Sequence, residues 1–100
     1  MKVTKELNDN ILKVRLVGRL DTNTAPTLDN DLKDDLEIVD RLELDLRDLD
    51  YISSAGLRTI LVFHKKMNAK KGSLIVLHPK DEVMEVFDMT GFSSFLKIED

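Results

Sequence analysis

"LDLRDLDYISSAGLRTIL", residues 44–61, decides the architecture. Taken with "RLE" just before it, its first part alternates: Leu42, Leu44 and Leu46 point one way, and Arg41, Glu43, Asp45 and Arg47 the other. A period of two marks a strand with one buried face, even though leucine by itself favours helix. After "DYISSAG" the period lengthens. From Ser54 to about Lys70, residues Leu57, Ile60, Leu61, Phe63, His64 and Met67 share one broad arc of a 3.6-residue wheel. Arg58, Val62 and Lys65 point away from that arc, with Thr59 and Lys66 on its flank. The pattern is strand, loop, helix. The loop leaves the carboxyl end of a strand, where open α/β sheets gather their ligands.

Working outward, "KVTKEL" and "ILKVRLVG" alternate and meet at "NDN", a turn signal, so they predict a hairpin whose second strand buries Leu12, Val14 and Leu16. "GRLDTNTAP" is a loop that becomes a helix start. Asn23 or Thr24 is the expected N-cap, and Pro26 suits the first turn, where its missing N–H costs nothing. Leu28, Leu32 and Leu36 then form one helical stripe, with Asp29, Asp31, Asp34 and Asp35 outside it. "GSLIVLHP" reads as a strand buried on both faces. "PKDEVMEVFDMTG" is a helix opened by Pro79 and followed by Gly91, and "SFLKIE" is a last strand. The order β-β-α-β-α-β-α-β predicts an α/β fold. Its sheet is mixed and mostly parallel, with right-handed crossovers, an N-terminal hairpin and at least three helices.

One hundred residues fit a single domain, 1–100. The net charge of −4 argues against nonspecific nucleic-acid or anionic-membrane binding. The acid is concentrated in residues 1–50, with 13 Asp+Glu against 8 Lys+Arg, a balance suited to a basic partner face. There is no cysteine, which excludes disulfides and thiolate chemistry. Neither a signal peptide nor a membrane-spanning stretch is visible, so a cytoplasmic location is expected. No long apolar stripe is left over, and a monomer is expected. Two distant histidines and acidic runs without a calcium-loop glycine give no metal site and call for no cofactor.

The two serines carry the chemistry. Ser53 or Ser54 can cap the helix, and Gly56 leaves the backbone N–H groups open to approach. A helix start of this kind accepts negative charge. A serine there either stays a cap or carries a phosphate, adding about −1.5 to −2 charges.

Three stretches in order resemble the STAS domain, in particular bacterial anti-sigma factor antagonists: "GRLDTNTAPTL", "LDLRDLDYISSAGLRTIL" and "VFDMTGFSSFLKI". The resemblance spans nearly the whole chain. It implies a binding protein with no catalytic residue of its own. In that family an ATP-binding serine kinase, itself the anti-sigma factor, phosphorylates the serine at this helix start. The unphosphorylated antagonist binds the kinase and frees the sigma factor; a serine phosphatase restores it. Carried over, the acceptor is Ser54, and Asp21 matches the acidic residue of the first stretch. The implied partner surface is Asp21, Thr22 and Asn23 with Ser53, Ser54, Ala55, Gly56, Arg58, Thr59 and Val62. Ser53 stands where well-studied members carry Asp, and Ala55 where a second hydroxyl often follows, so Ser53 is the alternative acceptor.

Three other readings compete. A STAS scaffold would bind a partner without any phosphate. Some STAS domains bind nucleotides, but no glycine-rich phosphate loop is present here. A serine hydrolase would need a base. His64 lies ten residues past Ser54 on the same helix, roughly 15 Å along its axis, and is out of reach. His78, ending the next strand, is the better base for a Ser54–His78 dyad. Phe87, Met89 and Phe92 are read first as core and only second as a partner patch.

Overall fold

The computed structural model describes residues 1–100. The chain runs β1 (Lys2–Asn8), β2 (Ile11–Leu20), α1 (Ala25–Leu32), α2 (Asp35–Ile38), β3 (Arg41–Ile52) and α3 (Ser54–Ala69). It continues through β4 (Ser73–Leu77), α4 (Asp81–Thr90), a 3-10 turn at Phe92–Ser94 and β5 (Lys97–Glu99). The five strands form one sheet in sequence order, antiparallel between β1 and β2 and parallel from β2 to β5. The expected mixed sheet with its N-terminal hairpin is present. Asp9, at the hairpin turn, takes the left-handed conformation that aspartate tolerates.

Alternation along the strands turns one face of the sheet into the core. Leu12, Val14 and Leu16 of β2, Leu42, Leu44 and Leu46 of β3, and Leu74 and Val76 of β4 join a cluster of 23 buried residues. Every helix contributes to the same cluster: Leu28 and Leu32, Leu36, Ile60 and Phe63, and Val83 and Phe87. The helices therefore lie on one face. The opposite face carries Lys13, Arg15, Glu43 and Asp45 around a shallow open hollow.

Two elements differ from the sequence expectation. The single helix of the Leu28–Leu32–Leu36 stripe is two, although all three leucines are buried. Lys5 Nζ donates to the Asp31 carbonyl at 2.9 Å and to Asp35 Oδ2 at 2.8 Å, which draws that carbonyl out of the helical ladder. The crowded aspartates, weak helix formers of like charge, give little resistance. Lys70 then ties α2 down, donating to the carbonyls of Leu36 at 2.6 Å and Val39 at 2.8 Å.

The second difference concerns the site. Strand β3 does not end at Leu49; it continues to Ile52, so "DYI" is strand rather than loop. The register with β2 slips between Arg15 and Val17 and again between Gly18 and Arg19, where Gly18 takes φ +107°. These bulges bend and twist the pair. They bring Arg19 opposite Tyr51 and Leu20 opposite Ile52, which supplies the backbone partners that "DYI" needs. The exposed Arg15–Asp48 ion pair spans the first slip. At the far end Gly91, at φ +82°, closes α4 in the left-handed form as expected.

Candidate functional site: the serine loop and its groove

The extended ends of β2 and β3 deliver two helix starts side by side. Ser53 N donates to the Leu20 carbonyl at 2.9 Å, joining the loop that opens α3 to the last residue of β2. Leu20 is fully buried and Ile52 nearly so, and the turn rests on these two side chains.

Ser53 is the cap. It is extended, at φ −96° and ψ 175°, and its Oγ accepts from the Gly56 N–H at 3.3 Å. That leaves Ser54 as the first helical residue. It is exposed, and its hydroxyl makes no hydrogen bond within the chain, while Ser53 is half-buried. The two serines thus divide the roles that the sequence leaves open between them: one hydroxyl is used by the fold and the other faces water.

The first helix start is capped from an unexpected position. Thr24 is the N-cap residue, one of the two expected, but neither its side chain nor that of Asn23 makes a cap bond to α1. Asp21 organises the turn instead: its Oδ1 accepts from the backbone N–H of Asn23 at 3.0 Å and of Thr24 at 3.1 Å. Its carbonyl accepts from Ala25 N at 2.8 Å. Thr24 Oγ1 accepts from Asp21 N at 2.8 Å and donates to the Arg19 carbonyl at 2.8 Å. The chain enters the turn earlier than expected, and a short acidic side chain at its first residue is well placed to receive the following N–H groups.

These bonds hold the Asp21 carboxyl below the usual carboxylate range: the Thr24 N–H is the main cause, then Asn23 N–H and the Thr24 hydroxyl, with Arg19 adding a little, all against partial desolvation. A folded-state value below the unfolded one, about 3.9, stabilises the fold above that pH, and the stabilisation is lost as pH falls through the lowered value. Asp21→Asn keeps the acceptor oxygen and removes the charge. It is expected to unfold at lower urea than the wild type at pH 6. The gap between the two urea midpoints should narrow as pH falls through the lowered Asp21 value.

Between α1 and α3 runs a groove of about 410 Å³. Thr22, Ala25, Pro26 and Asp29 form one wall, and Ala55, Arg58, Thr59, Val62 and Lys66 the other. Of the residues singled out from sequence, Thr22, Ala55, Arg58, Thr59 and Val62 come together here. Asp21, Asn23, Ser53, Ser54 and Gly56 do not line it. Gly56 is buried against the sheet, and the others belong to the two helix-start loops. Val62, 39% exposed, has this wall as its setting. Ala25, Pro26, Asp29 and Lys66 complete the lining and are not among the residues that the sequence singles out for the partner surface. The signal for Lys66 was present: 55, 59, 62 and 66 follow helical spacing down one face.

The structure does not assemble the hydrolase dyad. Asp45 pairs with Leu77, so His78 stands level with Leu46, far down β3 from Ser54. His64 is half-buried, with Nε2 3.1 Å from Asn68 Nδ2 and its ring 5.1 Å from that of Phe95. Phe87 is core, Phe92 packs on the core and against Phe95, and Met89 is exposed. No helix is long and apolar enough to cross a membrane.

Comparison with known proteins agrees with this geometry. The Bordetella bronchiseptica protein BtrV, named as an anti-sigma factor antagonist, is 36% identical over 99 residues, covering 98% of this chain and 85% of that protein. The anti-sigma-B factor antagonist of Bacillus subtilis is 28% identical over 98 residues, covering 98% of this chain and 90% of that one. Among solved structures, the anti-sigma factor antagonist SpoIIAA in its unphosphorylated form superposes with a TM-score of 0.86 at 20% identity, over 97% of this chain and 87% of that one. The sequence pattern of the STAS domain matches residues 2–100, and the chain belongs to the STAS domain family.

Proposed function

We propose that this chain, acting as one STAS unit over residues 1–100, is an anti-sigma factor antagonist switched by phosphorylation of Ser54. The observation that carries the reading is the division of labour at α3. Ser53 is spent as the cap, while Ser54 stands exposed with a free hydroxyl. The names of the relatives support the partner class. In the unphosphorylated state the loops at Asp21–Asn23 and Ser53–Ala55, with the groove wall of Arg58, Thr59 and Val62, dock on an anti-sigma factor and release its sigma factor; Gly56 serves this face from beneath, by letting α3 start close against the sheet. That anti-sigma factor is an ATP-binding serine kinase. It transfers the γ-phosphoryl group of ATP to the Ser54 oxygen, releasing ADP and a proton. The new dianion stands on the docking face and ends the complex by charge and bulk, without refolding the domain. A serine phosphatase resets it. The chain is a monomeric substrate and ligand in the cytoplasm rather than a catalyst, and it needs neither cofactor nor nucleic acid.

Incubation with the cognate kinase and labelled ATP tests this. Incorporation is expected in the wild type and in Ser53→Ala, and none in Ser54→Ala. Ser54→Asp should bind the kinase roughly tenfold more weakly or worse. Undiminished incorporation in Ser54→Ala sinks the assignment.

A further inference from the structure

Beside the serine loop one cation has no partner. Arg58 is exposed and makes neither a hydrogen bond nor an ion pair. Arg19, by contrast, is occupied: its guanidinium lies 4.1 Å from the Tyr51 ring centroid, and its Nε is 3.9 Å from Asp21 Oδ2. Lys66 lies twelve residues beyond Ser54 on α3, roughly 18 Å along the axis. Arg58 stands one turn after Ser54. Residues four apart on a helix have Cβ atoms ~5–6 Å apart. Each Cα–Cβ bond also tilts toward the helix N-terminus, so a long side chain at the later position leans back over the earlier one. With the anion first and the cation second, the pair also follows the helix dipole.

We infer that Arg58 is the clamp of the phosphorylated serine: once Ser54 carries phosphate, the Arg58 guanidinium turns back from the groove and pairs with two of its oxygens. This rests on Ser54 being the acceptor. Arginine suits the role because its planar fork matches phosphate geometry. Pairing also takes the guanidinium from the groove wall. The modification thereby changes two places on the docking face at once: it adds a dianion at the loop and removes a cation from the wall.

The test uses the full chain with phosphoserine installed at position 54 during translation, so no kinase is needed. The phosphorus resonance is followed from pH 4 to pH 9 at low salt, in the wild-type background and with Arg58→Gln, Arg19→Gln or Lys66→Gln. A nearby cation favours the dianion and lowers its titration midpoint. The wild type and the Lys66→Gln and Arg19→Gln variants should titrate together, and Arg58→Gln about half a pH unit higher, as suits an exposed pair. That gap should close in 1 M salt. Equal midpoints in the wild type and Arg58→Gln overturn the clamp, as does a rise in Arg19→Gln or Lys66→Gln in place of Arg58→Gln. Because the phosphate is installed directly, failure of the clamp leaves the Ser54 switch standing. A kinase that ignores Ser54 would sink the switch without altering this titration.

Discussion

Gly56→Ala is expected to cost the domain about 2 kcal/mol and to loosen the serine loop from the sheet. A Cβ at this position would lie 2.8 Å from Leu20 Cγ, 2.9 Å from Ile52 Cγ1 and 2.9 Å from the Leu20 carbonyl oxygen. Real Cβ contacts are not that short, so something must move. The two side chains belong to the closed core, and the carbonyl is held by the Ser53 N–H. The yielding part is therefore the start of α3, which must back away from β2. Overpacking of this kind costs up to ~3 kcal/mol. The gain of alanine over glycine in a helix returns up to ~1 kcal/mol. Urea unfolding reads the net loss. Because the same shift lengthens the already long Ser53 cap, partner binding should weaken even where the variant is fully folded. A variant as stable as the wild type would show that the loop has slack the contacts do not suggest.

The largest loss is expected about two turns further on. Phe63 is fully buried in the central cluster, and Phe63→Ala should destabilise the fold by roughly 3–5 kcal/mol, through lost burial and the cavity left behind. Domains of this size have only about 5–15 kcal/mol in all, so the variant is expected to be close to its limit at physiological temperature. Val62, its neighbour in sequence, faces the groove and is 39% exposed. Val62→Ala should stay within about 0.5 kcal/mol of the wild type. Measured together in urea, the pair separates the face of α3 that holds the fold from the face offered to a partner. Similar losses from both would place Val62 in the core.

Most of the fold was legible because it is written in period. Leu42, Leu44 and Leu46 alternate without interruption, and Ile60, Phe63 and Met67 recur at helical spacing, so strand and helix declare themselves. What could not be read depended on distant partners. "DYI" carries no strand period of its own; it is strand because the slipped register of β2 reaches it. The break after Leu32 comes from Lys5, a residue on another element. At the site, sequence allowed either serine to cap. Only the geometry of Ser53 and Gly56 divides the two. Asp21 was picked out by resemblance. Its work inside the turn depends on where the chain bends, which no spacing rule recorded. Pro26 and Asp29 joined the groove because α1 lies beside α3, a matter of tertiary packing.

The overrun of β3 past the end of its pairing with β4 has a consequence for how such a chain can change over generations. Along an extended segment each added or deleted residue exchanges inside for outside. Between Asp48 and Ser53 that alternation is already interrupted: Leu49 and Ile52 point inward with Asp50 and Tyr51 both outside, because the bulged pairing with β2 absorbs extra residues. Replacements of one amino acid by another are tolerable at the outward pair, whereas a change in length has to be met by moving a bulge if the serines are to keep their place at the start of α3.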